Sequence, residues 1–228
     1  MRRANVLSFG LQTAKQFSQM IKAILLIFDP VRSWDTIAQD KRSVTFILTA
    51  FLLPLLALTL LAEAYGLSNW GKNFGDVIGH KQYNRPEVVV YVALQLVATL
   101  LVLFIGAKLL KALGDTFHGR HTYTQAFCAV AYGLSPMFLL RFLDAFPSIS
   151  PWVPWAIGMI LSVAIMYHGV PRVMEPDPPH AFGLYITSAL LLAMTSGLAR
   201  FLTYWWLLGK FTTVQKAILD FVGPLFAR

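Results

Sequence analysis

Cysteine is almost missing from this chain: Cys128 is the only one in 228 residues. An intrachain disulfide is therefore excluded, as is any cysteine-rich metal or cluster site. Charge is scarce as well. Only 13% of the residues are Asp, Glu, Lys or Arg, whereas a soluble domain carries about a quarter. That is too little polar surface to coat a water-facing globule, so lipid must cover the remainder. Reactive patterns are missing too. The sequence has no Gly-x-Ser-x-Gly elbow, glycine-rich phosphate loop or His-Glu-x-x-His. Its apolar segments hold neither a serine–histidine set nor paired aspartates. No enzyme and no cofactor is expected.

A net charge of +8 would point to nucleic acid in a soluble protein. Here no basic stripe interleaves with aromatics, and the cations flank apolar runs, as the positive-inside rule and anionic lipid require. Nucleic acid is not an expected partner. Met1-Arg2-Arg3 is followed by Lys15, Gln16, Gln19 and Lys22 rather than an unbroken apolar stretch, so no cleaved signal is expected.

Apolar residues make up 57% of the chain. Five long runs predict an all-α, polytopic bundle over 44–208. The first span is 44–64, with Pro54 in its middle. The second is 88–113, where Lys108 and Lys111 snorkel at the end. The third is 123–143 and contains Pro136. The fourth, 152–170, is barely long enough to cross, whereas 182–208 is long enough to need tilt.

Amphipathic segments flank the bundle over 1–43 and 209–228. Phe17, Met20, Ile21, Ile24, Leu25 and Phe28 repeat at helical spacing away from Lys15, Gln19 and Lys22. Such a helix lies in the membrane surface or packs on the protein's own face. Asp29-Pro30 ends it and starts another, roughly 30–40, with Val31, Trp34 and Ile37 or Ala38 on one side. Val214, Ala217, Ile218, Phe221, Val222 and Leu225 oppose Lys216 and Asp220 in a closing interfacial helix.

Residues 1–43 hold seven Lys and Arg, against three (Lys72, Lys81, Arg85) in the next loop. Over all loops the count is eleven against eight. This places the N-terminus in the cytoplasm and the C-terminus across the membrane. Tyr65, Trp70, Trp152, Trp155, Tyr204, Trp205 and Trp206 then mark the outer boundary, and Trp34, Tyr123 and Tyr167 the inner one.

Helices in lipid associate through close backbone approach and polar contacts. Ala189, Ala193 and Gly197 supply a small-residue stripe, as do Ala129 with Gly133 and Gly158 with Ser162. Pro54 and Pro136 should each bend a helix and free a carbonyl.

Charges at membrane depth need partners. Glu63, Arg141, Asp144 and Arg200 share one level near the outer ends of the first, third and fifth spans. Arg141 and Asp144, three apart, can pair directly, and Glu63 or Asp144 is expected to neutralise Arg200. No further acid, Asn or Gln is expected in the middle of these spans. The group is a staple between helices or, alternatively, a polar pocket. At the inner side, Asp115, His118 and His121 have spacings compatible with metal ligation. Without cysteine, and between Gly114 and Gly119, they read instead as a solvated basic loop, and no metal is expected.

Three stretches carry a family resemblance. Asp29-Pro30-Val31-Arg32-Ser33-Trp34-Asp35-Thr36-Ile37-Ala38 resembles the opening signature of the bacterial branch of the Yip family, the Ypt/Rab-interacting membrane proteins. Ala131-Tyr132-Gly133-Leu134-Ser135-Pro136 is similar to its third-span pattern, and Met166-Tyr167-His168-Gly169-Val170-Pro171-Arg172-Val173-Met174 to the stretch closing its fourth span. The resemblance implies five helices with the N-terminus inside and the C-terminus outside. It implies structural roles for Trp34 as interfacial anchor, Tyr132 and Pro136 at a kink, and Gly169-Val170-Pro171 as a helix exit. Eukaryotic relatives are associated with Rab GTPases, vesicle traffic and membrane shape. Their long cytosolic N-terminal region has no counterpart in this sequence, so no GTPase partner is expected.

The sequence therefore predicts a non-enzymatic bacterial inner-membrane protein that organises bilayer or partner proteins. Its expected partners are the lipid bilayer, with anionic lipid on the N-terminal side, and a membrane protein or second copy of itself. The alternative is a small-solute or lipid carrier centred on the Glu63, Arg141, Asp144 and Arg200 group.

Overall fold

Long apolar runs cannot leave amides unpaired in hydrocarbon, and each of the five becomes a helix. A computed structural model describes residues 23–75, 79–117 and 121–226. Span 1 is Val44–Trp70, span 2 Arg85–Thr116, span 3 Tyr123–Ala145, span 4 Trp152–Met174 and span 5 Pro178–Leu208. Each outruns its apolar run at one end or both, since helical bonding continues where polar side chains meet the interface. The chain is an all-α, multi-pass membrane protein.

The outward faces are apolar. Leu190, Met194 and Leu198 are more than 60% exposed, whereas Leu192, Ser196 and Arg200 on the same helix are buried. A water-soluble bundle would reverse that pattern. Span 3 is the central helix, with 78% of its most apolar window buried against 28% for span 5.

Contacts at the helix ends show the alternation of direction. Glu63 late in span 1 meets Tyr91 early in span 2 and Arg141 late in span 3. Arg200, late in span 5, reaches the Pro151 carbonyl just before span 4. At the opposite end, His121 before span 3 bonds the Met174 carbonyl that closes span 4. A two-stranded antiparallel hairpin, Lys72–Asn73 with His80–Lys81, follows span 1. We call its side the hairpin end and the other the surface-helix end.

The prolines act as their chemistry requires. Before Pro54 the helix widens into a π-helical stretch, Ile47–Leu52, and Leu53 donates five residues back to Leu48. This widening relieves the clash of the proline ring with the previous turn. Pro136 breaks span 3 at Leu134 and deprives the Tyr132 carbonyl of its donor. Ser135 Oγ replaces that donor at 2.6 Å.

Small residues mark the close approaches. A Cβ at Gly66 would collide with the Ala145 backbone, and one at Gly158 would lie 2.6 Å from Met137 Cα. Gly133 faces Met166 and Gly197 faces Trp155.

The surface helix Pro30–Asp40 packs against span 4. Trp34, expected at the headgroup boundary, is fully buried instead. Its indole donates to the Ile165 carbonyl at 2.9 Å and lies on Gly169, where any Cβ would strike the ring. Tyr132 completes this joint, edge-on to Trp34 and stacked 4.4 Å from Phe51. The expected helix exit at Gly169-Val170-Pro171 also differs, because span 4 continues to Met174. Proline's fixed φ suits a helix and costs one hydrogen bond. Trp34 on the Ile165 carbonyl and Arg172 on the His168 carbonyl brace that turn.

Residues 23–28 are helical. Ile24, Leu25 and Phe28 of the predicted stripe are exposed, and Ala23 and Leu26 are buried, so the stripe faces away from the protein. Phe17, Met20 and Ile21 lie outside the described residues. The closing helix Thr212–Val222 leaves Val214 and Phe221 exposed. Its Gln215, with Lys81 and Tyr83, caps the last carbonyls of span 5 at Trp206 and Leu207.

Candidate functional site

Glu63, Arg141, Asp144 and Arg200 come together at the hairpin end, each no more than 6% exposed. Arg200 pairs with Asp144, one guanidinium nitrogen lying 2.6 Å from both carboxylate oxygens. The same nitrogen and Nε donate to the Pro151 carbonyl at 2.6 and 3.1 Å. Arg141 reaches across to Glu63 at 3.3 Å and donates to Thr99 Oγ1 at 3.0 Å. The two residues of span 3 therefore bond to other helices and not to each other. The last turn is a 3-10 helix, Arg141–Ala145, placing Arg141 opposite span 1 and Asp144 opposite span 5.

Span 2 contributes more than expected. Tyr91 donates its hydroxyl to Glu63 at 2.7 Å, Gln95 donates to that hydroxyl oxygen at 2.5 Å, and Thr99 bonds back to the Gln95 carbonyl. Gln95 lies on span 2, outside the first, third and fifth spans in whose middle no further Gln was expected. Its signal was present in the sequence: Tyr91, Gln95 and Thr99 form a polar stripe at four-residue spacing in an apolar run.

Lys72 is the second addition. The hairpin folds it back under span 3, only 1% exposed. Its Nζ donates to the Asp144 and Phe146 carbonyls at 2.8 and 2.9 Å, closing the last turn of span 3. Burial pushes the Lys72 ammonium below the ordinary 10.5, against the opposing pull of Asp144 and Glu63. Among these buried charges, three cations face two acids, with hydroxyls and carbonyls supplying the remaining acceptors.

Two buried donors, Arg141 Nε and Trp155 Nε1, find no partner among the described residues. Both residues line a cavity of about 30 Å³ with Gln95, Thr99, Ser196 and Arg200. That is room for roughly one or two waters.

The inner histidines do not assemble. Asp115 pairs with Lys111 at 2.8 Å and is exposed. His121 is not solvated, as expected, but buried. Its Nδ1 donates to the Met174 carbonyl at 2.7 Å and so caps span 4, while Gly114 makes room for its ring. His118 lies outside the described residues, and no metal-ligating cluster is present among those described.

The Yip1 domain family model matches residues 24–208. The chain belongs to the Yip1 domain family. No curated protein and no solved structure matches it. The Yip1 domain thus runs from the helical stretch before the surface helix to the end of span 5. It takes in both the Trp34–Tyr132–Gly169 joint and the buried charge network, and it leaves out the closing helix Thr212–Val222.

Proposed function

We propose that this Yip1 domain is a non-catalytic membrane organiser of the bacterial inner membrane, with its N-terminus cytoplasmic and its C-terminus across the membrane. The observation that carries the reading is where its polar groups point. The buried charges bond to other helices of the bundle, and the rest of the interior is mainly Leu, Ala, Val, Ile, Phe and Met. What faces outward is amphipathic: Ile24, Leu25 and Phe28 at one end, Val214 and Phe221 at the other. Such segments wedge between lipid headgroups or dock neighbouring membrane proteins. Affinity purification in mild detergent, with mass spectrometry of co-eluting proteins, tests this. A reproducible membrane-protein partner or self-association lost on Phe28→Ser and Phe221→Ser supports it. Recovery of the chain alone with bulk phospholipid counts against it.

The carrier reading keeps one observation, the small cavity beside Arg141 and Arg200. Solute uptake into proteoliposomes that is abolished by Gln95→Leu would favour it over the organiser.

A further inference from the structure

At the surface-helix end a second, larger crevice opens, about 400 Å³, between the surface helix, the start of span 3 and the end of span 4. We propose that it binds the phosphate-bearing headgroup of an anionic phospholipid. This rests on the crevice alone and stands whether or not the bundle organises partners.

Three cations line the crevice: Lys41, Arg42 and Arg172, against one acid, Glu175. Arg42 and Arg172 are held by exposed pairs with Asp40 and Asp35 at 3.5 and 2.8 Å. Exposed pairs are weak enough to yield to an incoming anion. Arg172 gives Nε to Asp35 and one terminal nitrogen to the His168 carbonyl, leaving its other terminal nitrogen for a ligand. The Lys41 ammonium has no hydrogen bond or ion pair among the described residues. Thr122 and Gln125 add polar contacts, while Ile37 and Val173 form an apolar floor. A phosphate beside an apolar body suits such a wall, which is why a lipid fits better than a soluble anion.

Backbone conformation points to the same place. Among the described residues, Lys41 and Glu175 are the non-glycine residues with positive φ, 41° and 43°. Both line this crevice, each as the cap closing a helix. Glycine would close either helix without strain. Side chains in that region cost stability, and backbone strain of this kind clusters at ligand sites.

The lone cysteine also lines the crevice, which supplies a native reporter. The full chain, stripped of lipid in detergent, is titrated with phosphatidylglycerol, phosphatidylcholine or glycerol phosphate. Binding is followed by native mass spectrometry and by the rate of N-ethylmaleimide reaction at Cys128. Phosphatidylglycerol should bind in preference to phosphatidylcholine and slow the Cys128 reaction, and glycerol phosphate should do neither. Lys41→Gly removes the unpaired cation and the strain together. It should weaken phosphatidylglycerol binding about five-fold without lowering the melting temperature, and Lys41→Gln should weaken it similarly. Equal binding of phosphatidylcholine, or unchanged binding in both variants, would overturn the proposal. Protection of Cys128 by glycerol phosphate as strong as that by phosphatidylglycerol would reassign the site to soluble phosphates.

Discussion

Arg200 and Asp144, 56 positions apart, share a single guanidinium nitrogen that sits 2.6 Å from both carboxylate oxygens. This joins the ends of spans 3 and 5. Removing one partner strands a buried charge, whereas removing both does not. Arg200→Met or Asp144→Leu alone should cost about 3–5 kcal/mol, read from SDS unfolding in mixed micelles. The double variant should recover a large part of the loss, though not the bonds of Arg200 to the Pro151 carbonyl. Additive costs would mean the two residues act independently.

Ser135→Ala should destabilise span 3 more than an ordinary serine truncation. Pro136 leaves the Tyr132 carbonyl without its helical donor four residues on, and Ser135 Oγ takes that place. Stranding a buried acceptor costs about 1–3 kcal/mol. In a Pro136→Ala background the helix regains its own N–H, so the same serine change should become nearly neutral. An equal effect in both backgrounds would refute the link.

Gly169→Ala should expel Trp34 from its seat on span 4. Overpacking of this kind costs about 1–3 kcal/mol, and Trp34 quenching by acrylamide should rise in a single-tryptophan version of the chain. Gly223→Ala, which meets nothing within 4 Å and has φ −52°, is the neutral control.

Lys72 should make stability rise with pH. Its folded-state proton affinity lies below the ordinary 10.5 because burial disfavours the ammonium. Below the folded value both states are protonated and the desolvation cost is present in full. Between that value and 10.5 the unfolded chain holds a proton that the folded one has released, so alkalinity favours folding. Wild type should therefore gain on Lys72→Met as pH climbs from 7.5 towards 10. A constant difference between them would refute this.

The five spans were legible because long apolar runs have one stable form in lipid. The charge level was legible too, since four ionisable residues at matching depth must meet. Their pairing was not. Whether Arg141 turns to Asp144 or to Glu63 depends on helix rotation and on the last turn of span 3, neither of which is encoded by spacing. Lys72 was hidden for another reason: it follows span 1 in a loop, and only the hairpin turns it inward. Trp34 looked like a boundary residue because amphipathic position and composition favour that reading. Its burial needs the notch at Gly169, 135 residues away in the chain, and a single sequence does not couple such distant positions.

Synthesis order gives the Asp144–Arg200 bond a further consequence. As the chain is synthesised, Asp144 is translated 56 residues before its counterion. Until span 5 arrives, that carboxylate lacks the Arg200 guanidinium that holds both its oxygens in the finished fold. Completion of the last helix then closes the ion pair, and chains cut short before residue 200 should be less stable than the full chain.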